Sequence, residues 1–144
     1  MQLEICRSFS IVRHYLHLAP MIKLIKDRWI GFINALHGMK IYFLTENSAW
    51  WIWLTTPAAL FACWYFGVSK AEWLAIILSI GLVASTEILN TSIEEVLDHL
   101  HPERHASVGK AKDLAAGAVL FASFTAIAVG CVVFGPRLLE LFTQ

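Results

Sequence analysis

The sequence is short of charge. Only 15% of its 144 residues are Asp, Glu, Lys or Arg, against about 25% in an ordinary soluble domain, while 58% are hydrophobic. So large an apolar excess points to lipid rather than water as the surrounding medium. An excess of charge of one sign is lacking too. Eleven Lys and Arg balance eleven Asp and Glu, so the basic surplus of a nucleic-acid-binding domain is missing and neither DNA nor RNA is expected as a partner. Cysteine is scarce: Cys6, Cys63 and Cys131 are odd in number and widely spread, which supports neither a disulfide framework nor a zinc fold. Both familiar phosphate-binding designs, GxxxxGK[ST] and GxGxxG, are absent, so any nucleotide must be held by other means. No internal repeat or low-complexity segment is present.

What is present is a set of three apolar runs, about Ala49 to Val68, Trp73 to Thr86 and Leu114 to Phe134. A helix needs roughly 20 residues to cross a bilayer, and the first and third runs suffice alone. The second has 14 uncharged residues, but its helical pattern continues through Glu87, Asn90, Glu94 and Asp98. It therefore reads as a span whose inner end is polar. The expected architecture is an all-α membrane protein with three transmembrane helices at about 49–68, 71–98 and 112–135. Trp50, Trp51, Trp53 and Trp64 lie at the margins of the first span, as interfacial aromatic belts do.

Lys and Arg are retained on the cytoplasmic side of membrane proteins. Six of the eleven cations precede the first span, and Arg104, Lys110 and Lys112 separate the second and third, whereas the first and second are separated only by Lys70. This predicts a cytoplasmic N-terminus, an external C-terminus, an outer turn at about 67–72 and an inner loop at about 99–111. The localisation expected from this pattern is a membrane crossed several times. Charges or histidines interrupt every apolar stretch before the first span, which argues against a signal peptide or a further span there. Within that region Phe32, Ala35, Leu36, Met39 and Phe43 recur at helical spacing opposite Asn34, His37 and Lys40, the pattern of an amphipathic helix on the membrane surface or packed on the bundle. Residues 1–27 carry no comparable signal, so the membrane domain is taken as 28–144.

The strongest local feature is the segment from Glu87 to Asp98. At about 100° per residue, Glu87, Asn90, Glu94 and Asp98 fall on one helix face in a stripe roughly 16 Å long. Glu87 closes the apolar run, and an acid inside the hydrocarbon costs about 3 kcal/mol by insertion scales, so such residues are functional candidates. Glu94 and Asp98 repel at i,i+4, and a positive group should compensate. Oxygen ligands without thiols favour a hard cation, and Mg²⁺ is the usual choice where phosphates complete its shell. A solvated acidic helix end is the plain alternative.

Gly109-Lys110-Ala111-Lys112-Asp113 precedes the third span, where its cations, loop amides and the next helix N-terminus suit a phosphate. Lys at an inner boundary is also what topology alone requires. Glu46, before the first span, reads by itself as an acid complementing a helix dipole. His99, His101 and His105 lack i,i+4 spacing around a Pro-containing loop and read as solvated.

Taken jointly, Glu87-Ile-Leu-Asn90-Thr-Ser-Ile-Glu94-x3-Asp98 and Glu103-x-His105-x3-Gly109-x2-Lys112-Asp113-Leu-Ala-Ala-Gly-Ala-Val resemble the prokaryotic integral-membrane diacylglycerol kinase family, including its undecaprenol kinases, over about residues 28–135. The resemblance implies a three-span subunit with a surface helix, assembled as a homotrimer with active sites shared between copies. It implies transfer of the γ-phosphate of MgATP to a lipid hydroxyl, diacylglycerol or undecaprenol. Glu87 then matches the general base, Glu46 and Glu94 the carboxylates on Mg²⁺, and Glu103, His105, Lys112 and Asp113 nucleotide-binding positions. Arg28 approximates a basic residue that touches ATP, and Asn90 and Asp98 match supporting polar residues. Asn34 stands where some members have an aromatic residue, and Ile52 where the enterobacterial branch has a second carboxylate; the Ala-Ala-Gly-Ala-Val stretch is closer to undecaprenol kinases. Two other classes compete: an ion- or metal-conducting bundle, disfavoured because the polar stripe occupies one end of one span, and a non-catalytic assembly subunit.

Overall fold

A computed structural model describes residues 2–103 and 105–143, with side chains from residue 21 onward. It is all-helical: α1 (Gln2–Thr45), α2 (Ala49–Tyr65), α3 (Lys70–Leu100) and α4 (Ala106–Phe142). The chain divides into two compact units, Met1–Leu44 and Thr45–Gln144. The first is essentially α1, so the stretch before residue 28, for which the sequence pattern offers no assignment, continues the same helix as the amphipathic segment. A helix closes its hydrogen bonds locally, so the charges and histidines that break up the apolar runs do not break it.

In the second unit, α2 ends where a left-handed residue is needed. Gly67 has φ +58°, its N–H donates to Trp64 O at 3.3 Å, and Val68 N–H reaches back to Cys63 O at 3.2 Å. This is a Schellman stop with glycine at the position a Cβ would strain. Its two flanking side chains, Cys63 and Val68, are both buried and pack with Ile76 of α3 and Val133 of α4. Helix α3 then starts from a capping box: Ser69 Oγ accepts from Glu72 N–H at 3.4 Å and Glu72 Oε2 accepts from Ser69 N–H at 2.7 Å. Glu72 also receives both Nη groups of Arg137 at 2.9 and 3.0 Å, tying the start of α3 to the end of α4. Helix α3 packs mainly on α4, and α2 touches α3 far less.

Helices α3 and α4 are long and apolar enough to cross a membrane. The hydroxyls of Ser79, Thr86, Ser92 and Thr125 need no partner helix, because each donates to a carbonyl one turn earlier. Helix α2 has 17 residues, about 26 Å of helix, since Gly67 ends it before the apolar run does. The loop between α3 and α4 is also shorter than expected. Instead of beginning at 99 and ending at 111, it begins after Leu100, with His101 closing α3, and ends before Ala106, with His105 opening α4.

Candidate active site

Because α3 is continuous through Leu100, the polar stripe stays on one face. Asn90 Nδ2 donates to Glu94 Oε1 at 3.0 Å, which holds that carboxylate at one oxygen and leaves the other free to face a cation. The remaining Asn90 oxygen, Oδ1, is buried with no hydrogen-bond partner, an unusual state for a buried acceptor. Glu87 is half-buried one turn beyond Val83. The stripe's far end meets α4: Lys112 Nζ pairs with Asp98 Oδ1. This is the positive group that the Glu94–Asp98 repulsion calls for.

The pair borders a pocket of about 360 Å³ whose lining includes Asp98, His101, Glu103, His105, Gly109 and Lys112. The structure therefore gathers Glu103, His105 and Lys112 with Asp98 around one cavity formed where α3 ends and α4 begins. His105 has an additional duty that the loop reading misses. As the α4 N-cap its Nδ1 accepts from Ser107 N–H at 3.3 Å and lies 2.6 Å from Ser107 Oγ. With Nδ1 committed as acceptor, Nε2 carries the ring proton and is the donor available to a ligand.

Other expectations change or fall elsewhere. Residues 109–113 are not a phosphate-cradling loop but the first turns of α4, so the amides beyond Gly109 are spent in the helix and only the side chains can reach a ligand. Asp113 is exposed and outside the pocket lining. Glu46 is half-buried in the turn before α2, its carbonyl accepting from Ala49 N–H at 3.2 Å. Arg28 is exposed on α1, in the other unit. Among the described residues no three His, Cys, Asp or Glu side chains gather as a metal cage. Sequence reasoning also missed the Glu72–Arg137 pair; Ser69-x-x-Glu72 could have signalled the cap but not the distant arginine.

An apolar groove of about 300 Å³ runs between α2, α3 and α4, lined by Ile52, Ile76, Ile80, Val83, Ile127 and Phe134 among others. On α3, Ile76, Ile80 and Val83 lie within about 40° of Glu87 around the helix. The groove thus leads along one face to the half-buried carboxylate.

Comparison with known proteins gives this arrangement a context. Residues 33–134 match the family described as prokaryotic diacylglycerol kinase. The chain is 33% identical over 108 residues to the undecaprenol kinase of Bacillus subtilis, covering 75% of this chain and 88% of that protein. It is 39% identical over 75 residues to the diacylglycerol kinase of Escherichia coli, covering 52% of this chain and 61% of that protein. The diacylglycerol kinase of Haemophilus influenzae is 30% identical over 101 residues, 70% of this chain and 82% of that protein. The matched span takes in the whole stripe, the loop and the pocket, and on that extent of agreement the chain belongs to the prokaryotic diacylglycerol kinase family.

Proposed function

We propose that the chain transfers the γ-phosphate of ATP to the hydroxyl of a membrane lipid at the inner leaflet of the bacterial cytoplasmic membrane. Its family makes it a membrane lipid kinase. One observation carries the assignment of parts: a single face of α3 passes from an apolar groove through Glu87 to a carboxylate stripe that ends at a polar pocket. Hydrocarbon and nucleotide thereby have separate places on either side of one carboxylate.

Glu87 takes the proton of the lipid hydroxyl as the oxygen forms its bond to the γ-phosphorus, and the bond to the bridging oxygen breaks so that ADP leaves with the electron pair. The lipid chain lies against Ile76, Ile80 and Val83, which keeps water away from Glu87 and from competition for the phosphate. Lys112, His105 through its Nε2–H, Glu103 and Asp113 hold the nucleotide. Lys112 leaves Asp98 for phosphate when ATP arrives, since both offer it the same charge-assisted bond. Glu94 and Glu46 are the residues that would hold Mg²⁺. The fit is chemical: hard carboxylate oxygens, one of them fixed by Asn90, with few enough protein ligands to leave room for phosphate oxygens. Mg²⁺, when bound, neutralises charge on the transferred phosphoryl group.

In this reading α2, α3 and α4 all span the membrane, α1 is the surface helix, the N-terminus is cytoplasmic and the C-terminus external. The assembly is a homotrimer with shared sites. Support comes from the bareness of the helices, where Trp53, Phe61, Leu78, Phe121 and Val132 are all well over half exposed; lipid covers part of such a surface and neighbouring copies the rest. The test is ATP-dependent phosphorylation by purified protein offered diacylglycerol and undecaprenol side by side. Label in one lipid identifies the substrate, and label in neither overturns the reading.

A further inference from the structure

We propose that Thr56 of α2 and Ser123 of α4 select the lipid substrate, donating their hydroxyls to ester carbonyls beside its reacting hydroxyl. The proposal rests on the lipid-kinase reading above and adds a polar subsite inside the apolar groove. Four hydroxyls line that groove, those of Thr55, Thr56, Ser79 and Ser123. Two are committed: Thr55 Oγ1 donates to Trp51 O at 2.7 Å and Ser79 Oγ to Ala75 O at 2.9 Å. Thr56 and Ser123, both half-buried, form no side-chain hydrogen bond among the described residues, although a bond to the preceding turn is the usual refuge of a helical hydroxyl. A donor left open in an apolar cleft costs free energy, so an open pair in one groove calls for acceptors that arrive with the ligand.

Their depth identifies those acceptors. Helices α3 and α4 run antiparallel, with Asp98 meeting Lys112 at one end and Glu72 meeting Arg137 at the other. Glu87 lies 11 residues along α3 from Asp98, and Ser123 lies 11 residues along α4 from Lys112, so the two stand at one level. Cys63 and Ile76 share the core cluster, and Thr56 and Val83 are each 7 residues from them in the direction of Glu87. Thr56 is therefore level with Val83, about 6 Å deeper than Glu87. The groove offers one donor beside the carboxylate and a second one turn further in. A glycerolipid alcohol brings matching acceptors, because its ester carbonyls lie a few bonds from the free hydroxyl, before the hydrocarbon chains begin. A polyprenol has nothing polar there except the hydroxyl itself. A helix of a second copy would bring carbonyls already spent within its own backbone.

The experiment measures kcat/KM of the full chain in mixed micelles on dioleoylglycerol, on the dioleyl ether of glycerol and on undecaprenol. The ether keeps the hydroxyl and the chains of the ester but loses both carbonyls. Because the ester-to-ether ratio is taken within one preparation, it does not depend on how much of a variant has folded. Ser123→Ala and Thr56→Val should each lower the ratio by about five-fold, and the double variant by about the product of the two. Ser123→Thr should stay near the wild-type ratio, as should Ser79→Ala, whose hydroxyl is committed to its own helix. Wild-type ratios in both Ser123→Ala and Thr56→Val overturn the proposal and leave the kinase reading in place, as does undecaprenol phosphorylated in preference to the ester. An altered number of copies per assembly with an unchanged ratio assigns the hydroxyls to a subunit contact and also overturns it. Transfer to none of the three lipids overturns the kinase reading itself.

Discussion

Two glutamates on the same helix, Glu72 and Glu87, have opposite fates. Glu72 closes the N-terminal cap of α3 and takes two hydrogen bonds from Arg137, so its charge is satisfied by the fold. Glu87, about four turns on, forms no ion pair among the described residues and sits half-buried beside an apolar groove. The same division holds for the surroundings. Around Glu72 lie Cys63, Val68, Ile76 and Val133, the buried core of the unit. Toward Glu94 lie an orphaned amide oxygen and an open polar pocket. Where polar groups find partners within the chain they hold helices together; where they do not, the proposed reading supplies a ligand as the missing partner.

The largest test of this contrast is Glu87→Gln. Removing the base while keeping shape should lower kcat by about 10²–10⁴-fold, with helix content and melting temperature unchanged. Wild-type turnover in that variant would remove Glu87 from the chemistry and dissolve the contrast. Lys112→Ala comes next. Loss of a cation from the transferring phosphates should cost about 10²-fold or more in kcat/KM for ATP. Its release of Asp98 should have little effect on folding, because the pair is partly exposed. A third variant, Asn90→Ala, frees the Glu94 carboxylate from its hydrogen bond to the Asn90 amide. Groups that orient a metal ligand commonly matter about 10-fold, so the Mg²⁺ concentration for half-maximal activity should rise by about that factor while KM for the lipid stays put.

Much of this contrast is legible in the sequence, but unevenly. The stripe from Glu87 to Asp98 needs only the helical repeat, and the compensating cation is anticipated from the Glu94–Asp98 repulsion alone, although its identity as Lys112 is not. Local rules reach that far because everything lies on one helix or across one short loop. They mislead at residues 109–113, where lysines next to a span look like loop although nothing prevents α4 from starting at Ala106 once His105 caps it. They are silent on α1 before residue 28, since a helix built from mixed polar and apolar residues leaves no run to count. They cannot see Glu72 with Arg137, whose partners are 65 residues apart and meet only because α3 and α4 run side by side.

That last pair supplies the smallest and most discriminating effect. Arg137 lies just past the family match at residue 134, at the end of the unit where polar groups are satisfied internally. Arg137→Ala removes two donors from Glu72 and loosens the end of α4 from the start of α3, while the capping bonds to Ser69 remain. Melting temperature should fall by a few degrees, and Arg137→Lys, which keeps the charge but loses the two-pronged geometry, should lie between. Turnover measured well below the transition should stay at the wild-type level, because Arg137 lies outside the proposed lipid and nucleotide sites. If Arg137→Ala instead reduced kcat at low temperature while leaving the melting temperature alone, the end marked by Glu72 would belong to the working part of the molecule. The division between a satisfied and an unsatisfied end of α3 would then fail as a guide to function.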